Sequence, residues 1–146
     1  MSVPGLISVG YQGRTVAELV DLLVSVGADV LVDVRLTPLS RKPGLSKRGL
    51  SEHLADAGIG YLHLRELGNP RDNRDGFRRG EPANRERYLA VLSSDEGRAG
   101  LDRVRELIRT GPVALLCFEQ EHDTCHRGLI VDWLVRTDPG IEVRRL

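Results

Sequence analysis

VALLCFEQEHDTCHRGLIVDWL, residues 113–134, reads as an apolar strand, a short polar loop and an amphipathic helix. The apolar run is strand length, and Gly111-Pro112 breaks the chain just before it. The helix is expected to open near Cys125, with Asp123 or Thr124 as its cap and Cys125-His126-Arg127 in its first turn. Free backbone N–H groups and the positive end of the helix dipole meet at such a turn. An imidazole and a guanidinium beside them make it an expected anion site.

Outward from this unit the chain alternates strand and helix. Residues 6–11 read as a first strand. Thr15-Val-Ala-Glu18 is a capping box opening a helix that runs to about Val26, stopped by Gly27. Residues 29–35, DVLVDVR, have the near-continuous apolar character of a strand covered on both faces. Residues 47–57 read as a helix closed by Gly58, and residues 60–67 as a third strand. Two right-handed crossovers follow from that order. A polar, arginine-rich loop then runs from Gly68 to about Ala83, long enough to be functional or mobile. Helices at about 84–93 and 98–109 precede the quoted strand, and residues 141–146 read as a last one. The expectation is a single α/β domain over residues 1–146. It is a three-layer, Rossmann-like sandwich with a mostly parallel sheet of about five strands.

The 146 residues are enough to bury a core without staples. No apolar run approaches a bilayer span, and MSVPGLISVG has no basic segment ahead of its apolar stretch, so a cytoplasmic protein without membrane contact is expected. Two cysteines are too few for a disulfide framework and fit a reducing compartment. Formal net charge is zero, which gives bulk charge no pull toward nucleic acid. Of 21 basic residues only Lys42 and Lys47 are lysines, and arginine's planar fork suits phosphate and carboxylate.

Ligands of such folds collect at the carboxyl ends of the strands. Those ends carry Gly10-Tyr11-Gln12-Gly13, Asp33-Val34-Arg35, Arg65-Glu66-Leu67-Gly68 and Cys117-Phe118-Glu119. Alternation puts Asp33 with Arg35, His63 with Arg65, and Cys117 with Glu119, each pair on one face. Glu119 and Asp33 are candidate acid–base carboxylates; Glu119 is equally open to a structural ion pair, while the place of Asp33 and Arg35 at a strand end beside a basic loop favours a site over a structural pair. Cys125 in a first helical turn would have a lowered pKa. Cys117 reads as a small core residue, and His63 as a half-buried histidine beside the pocket. His126 or His63 could shuttle protons near neutral pH. No arginine stands six residues after either cysteine, which removes a phosphatase-type loop. The Cys-x7-Cys spacing does not match a closed structural zinc site, so no metal is expected. The loop 35–48 carries Arg35, Arg41, Lys42, Lys47 and Arg48 and no acid, a candidate phosphate or nucleic-acid strip.

The segments SVGYQGRTVAELVDLL, DVLVDVRLTPLSRKPGLSK, YLHLRELGNP and ALLCFEQEHDTCHRGLIVDWL resemble the domain-of-unknown-function family 488 over nearly the whole chain. The most specific elements are the Asp-Val-Arg strand end followed by Pro and Ser-Arg, the Leu-Gly after the third strand, and the final Cys-x-Glu…Cys-His-Arg. The resemblance marks Gly10, Asp33, Arg35, Pro38, Ser40, Arg41, His63, Gly68, Cys117, Glu119, Cys125, His126 and Arg127 as the characteristic polar and turn positions. Tyr11-Gln12 stands where many members have His-Ser or His-Gly. The family implies no reaction.

Three functions compete. The first is a small enzyme on a phosphate-bearing, nucleotide-related substrate. Glu119 or Asp33 would do its acid–base work, Arg35, Ser40, Arg41, Arg127 and Gly10 would form the anion site, and Tyr11 would stand beside the pocket. The second is a non-catalytic module binding a nucleotide or nucleic acid. The third is thiol chemistry through Cys125 and Cys117. No cofactor is implied by any of them. A carboxylate assisted by arginines is favoured over a cysteine nucleophile, because Cys117 lies in an apolar run and no redox partner stands at C-x-x-C spacing.

Overall fold

The computed structural model describes residues 5–146, so the part of the leader reading that concerns residues 1–4 lies outside it. Its centre is a sheet of five parallel strands in the order β3-β2-β4-β1-β5. The strands are β1 (Gly5–Gly10), β2 (Val30–Asp33), β3 (Gly60–His63), β4 (Val113–Cys117) and β5 (Glu142–Arg145). Among the described residues six α-helices accompany them: α1 (Val16–Ser25), α2 (Lys47–Asp56), α3 (Arg74–Arg78), α4 (Pro82–Ser93), α5 (Asp95–Ile108) and α6 (Arg127–Thr137).

The helices form separate layers because the strands are apolar on both sides. Leu6, Val32, Val34, Val113, Leu115 and Cys117 face α3–α6 and pack on Phe77, Tyr88, Leu101, Val104, Ile130 and Leu134. Ile7, Val9, Leu31, Ala114 and Leu116 face α1 and α2 and pack on Leu19, Leu23, Leu50 and Leu54. The result is the three-layer, Rossmann-like arrangement expected from the alternating pattern.

Local signals set several boundaries. The Thr15 hydroxyl accepts from the Glu18 N–H at 3.1 Å, and the Glu18 carboxylate accepts from the Thr15 N–H at 2.9 Å, completing the capping box of α1. Gly27 and Gly58 end α1 and α2 with φ of 74° and 77°, which a side chain would disfavour.

Strand order is less local. β4 lies between β1 and β2, pairing Gly10 with Cys117 on one side and Asp33 with Leu116 on the other. The first crossover therefore skips a position. The chain leaves β1 and β2 toward the α1–α2 layer and leaves β4 toward α6. Neighbouring strands that depart to opposite faces open a crevice at their carboxyl ends. No helix among the described residues is long and apolar enough to cross a membrane.

Candidate functional site

A cavity of about 250 Å³ occupies that crevice. Tyr11 comes from the end of β1, Arg35 from the end of β2, and Cys117, Phe118 and Glu119 from the end of β4. Cys125 and His126 close the floor, and Asn69, Arg74, Phe77 and Arg78 form the far wall. That wall belongs to the 68–83 segment, which is not irregular. It folds into a short 3-10 turn at Arg71–Asn73 followed by α3. Asn73 is fully buried and donates to Asn69 Oδ1 at 2.8 Å and to the Asn84 carbonyl at 2.9 Å, while Phe77 packs edge-on against Tyr88. These anchors place Arg74 and Arg78 on the cavity wall.

The two candidate carboxylates part company. Asp33 lies on the α1–α2 side, fully buried. It receives Arg35 Nε at 2.9 Å and Nη2 at 2.7 Å, and the Tyr61 hydroxyl at 2.6 Å. Burial opposes the charge on Arg35, but the hydrogen bonds and charge of Asp33 outweigh it and hold the guanidinium above its ordinary pKa. Burial first, then the bond to Asp33, raises the Tyr61 hydroxyl. Asp33–Arg35 is thus a closed structural pair in which Arg35 also donates to the Leu45 carbonyl at 2.7 Å. Glu119, by contrast, lines the cavity and meets Arg78 at 2.9 Å. Arg74 has no carboxylate within ion-pair reach among the described residues.

The turn expected to hold an anion is built differently. α6 begins at Arg127, not Cys125, and His126 occupies the cap position without a side-chain cap bond. Neither Asp123 nor Thr124 caps it: the loop coils through a 3-10 turn at His122–Thr124, and the Thr124 hydroxyl donates to the Glu121 carbonyl. That turn rolls Arg127 inward. Its guanidinium is fully buried and donates to Ser8 Oγ at 2.8 Å, Cys117 Sγ at 2.6 Å and the Glu119 carbonyl at 2.7 Å. Ser8 Oγ is also hydrogen-bonded with His122 Nδ1 at 2.7 Å. Burial lowers the pKa of Arg127 to about 10. Arg127 fixes the floor from beneath and is not on the cavity wall.

Other expected residues also lie elsewhere. Arg41 is exposed away from the cavity, and the Ser40 hydroxyl accepts from the Lys42 N–H at 3.1 Å. His63 Nε2–H donates to the Arg35 carbonyl at 2.7 Å. Gly10 contributes closeness rather than a ligand contact, because a Cβ there would overlap the Glu119–Gln120 backbone. Arg74, Arg78, Asn69 and Phe118 were missed as site residues. The only sequence signal for the first three was the length of the 68–83 segment.

The cysteines overturn the expectation of free thiols. Cys117 and Cys125 are joined as a disulfide, with Cα atoms 7.5 Å apart. Cys117 is not in a purely apolar setting, since Arg127 reaches its sulfur. Cys125 is the partner that C-x-x-C spacing failed to reveal. His126 Nδ1 stands 3.6 Å from Cys125 Sγ, while its Nε2–H donates to the Val34 carbonyl at 2.7 Å. Burial pulls the His126 pKa down to about 4, so the ring is neutral.

A doubly wound parallel sheet with this crevice defines an α/β protein with a cavity lined by strand ends. The chain belongs to the DUF488 family, a domain of unknown function, whose model matches residues 15–134. No curated protein matches it.

Proposed function

We propose that the crevice binds a small anionic, phosphate-bearing substrate and that Glu119 performs acid–base work on it. The observation that supports this is the charge on the wall. Arg35 is neutralised by Asp33 and Arg78 is held by Glu119, which leaves Arg74 on the cavity wall without a carboxylate partner among the described residues. An arriving phosphate would bridge Arg74 and Arg78, displace Glu119 from Arg78 and release that carboxylate toward the substrate. Tyr11, Phe118 and Leu39 supply an apolar rim for an attached organic group; Leu39 is 70 % exposed there. A cavity of about 250 Å³ suits a phosphorylated fragment rather than a nucleic-acid strand. Nucleophilic thiol chemistry has less support, because Cys117 and Cys125 are only 1–2 % exposed and are bonded to each other. We place this activity in the cytoplasm.

The test is calorimetric titration with inorganic phosphate and adenosine monophosphate. Arg74→Ala should weaken binding at least about tenfold, as expected for the loss of one charge-assisted hydrogen bond. Glu119→Gln should tighten it, since Arg78 no longer has a competing carboxylate. Unchanged affinity in Arg74→Ala would defeat the reading.

A further inference from the structure

The floor of the crevice gathers three metal-ligating side chains: Cys117, Cys125 and His126, whose ligand atoms lie within 4.8 Å of one another. We propose that, with its cysteines reduced, this floor binds one zinc-class divalent cation through Cys117 Sγ, Cys125 Sγ and His126 Nδ1, leaving a fourth position open to the cavity. The expectation of no metal rested on a mismatch to closed four-ligand spacing, and this floor is instead an open three-ligand arrangement, the form in which catalytic zinc is held.

Four features carry the inference. The first is the tautomer of His126. Its Nε2–H is committed to the Val34 carbonyl, so the lone pair is on Nδ1, which stands 3.6 Å from Cys125 Sγ. Metal-bound histidines are oriented by this kind of bond to a backbone carbonyl. A sulfur and a nitrogen on one tetrahedral zinc, with bonds of about 2.3 and 2.05 Å, lie roughly 3.6 Å apart.

The second is Arg127. This buried guanidinium has no carboxylate within ion-pair reach among the described residues, and it donates instead to Cys117 Sγ at 2.6 Å. The Arg127 backbone N–H approaches Cys125 Sγ at 3.5 Å. A neutral sulfur is a weak acceptor for a buried cation, whereas a metal-bound thiolate is a strong one.

The third is the backbone. The Cα atoms of the two cysteines are 7.5 Å apart, beyond the roughly 4.4–6.8 Å that joined cysteines usually span. Side chains set that wide converge readily on an ion between them. Cys117 ends the central strand β4, a rigid support, and Cys125 follows the 3-10 turn at His122–Thr124, two residues before α6.

The fourth is the open side. All three ligands line the cavity, and Glu119 Oε2 lies 3.5 Å from Cys117 Sγ. A carboxylate beside a ligand sulfur on the cavity side is placed to take a proton from a water bound at the open position.

Loading balances simply. A small thiol reductant converts the disulfide to two thiols and is itself oxidised to a disulfide. The cation then displaces the two thiol protons to solvent and forms two metal–sulfur bonds. The proposal does not depend on what anion the crevice accepts.

The test uses the full chain without an affinity tag, stripped with chelator and reduced, with two free thiols verified by a thiol reagent. Cobalt(II) is then titrated under anaerobic conditions. The expected result is one equivalent bound, with the intense sulfur-to-cobalt charge-transfer band and the ligand-field bands of tetrahedral cobalt, both removed by zinc. Cys117→Ser and Cys125→Ser should each weaken binding more than about a hundredfold, exceeding the effect of removing an outer partner. Arg74→Ala should leave cobalt affinity within about twofold, while it weakens phosphate. Reduced wild-type protein showing no charge-transfer band overturns the proposal, and this holds even where a serine variant fails to fold. Cobalt binding without any phosphate binding keeps the metal site and defeats the anion reading.

Discussion

Arg127 donates to the sulfur of Cys117 at 2.6 Å from below the pocket floor, and with the same side chain it holds Ser8 and the Glu119 carbonyl. One buried guanidinium therefore ties β1, the end of β4 and the start of α6 into a single unit.

Arg127→Met should destabilise the protein by about 3 kcal/mol or more, because it leaves buried acceptors unpaired that the apolar chain cannot satisfy. Urea unfolding checks this; a midpoint equal to wild type would show that the floor does not need the cation.

The Asp33–Arg35–Tyr61 group makes a graded prediction. Asp33→Asn leaves a buried guanidinium without its counter-charge and should cost about 3–5 kcal/mol. Tyr61→Phe removes one of several bonds to Asp33 and should cost about 1 kcal/mol. Equal losses from the two variants would contradict the closed-pair description. Anion affinity in Tyr61→Phe should match wild type, since Tyr61 does not line the cavity.

Acid should unfold the protein through its buried histidines. Burial lowers the pKa of His126 to about 4 and also lowers that of His122. The unfolded state, titrating near 6.5, then binds more protons than the native state between roughly pH 6.5 and 4. Stability contributed by the neutral rings is complete above that window and is lost as pH falls through it. For His126 the loss is at most about 3 kcal/mol. Chemical denaturation at pH 7.5 and pH 4.5 checks the sign, and His126→Gln should flatten the slope.

Gly10→Ala should disturb the site more than its single methyl suggests. The new Cβ would meet the Glu119 carbonyl and Gln120 Cα, so the β4 exit must shift. A cost of about 1–3 kcal/mol is expected, accompanied by weaker phosphate binding. Full affinity in a stable variant would show that the exit of β4 is free to move.

What was readable in the sequence was local. Thr15 and Glu18 are three residues apart, and their box opens α1 as expected. Gly27 and Gly58 stop helices as expected. The position of β4 was not readable, because its bonds to β1 and β2 join residues some 80–107 apart and leave no nearby pattern. That one insertion decides which strand ends meet, and with it which carboxylate faces the cavity. Asp33 and Glu119 both read as strand-end acids; Asp33 is closed off by Arg35 and Tyr61, whereas Glu119 lines the cavity. Arg127 looked like a helix-start anion ligand because its burial depends on the coil at His122–Thr124, which no spacing announces. Arg74 and Arg78 were hidden in a segment without periodicity, held in place by Asn73 and Phe77.

The insertion of β4 between β1 and β2 also sets an order of events during synthesis. When residues 5–63 have left the ribosome, β2 and β3 can pair, but β1 has no neighbouring strand to bond. It waits until residues 113–117 emerge and fit between it and β2. The long loop closure this requires is slow relative to helix formation. For that interval the nascent chain carries an unpaired apolar strand, and exposed surface of that kind is prone to aggregate until the second half has been made.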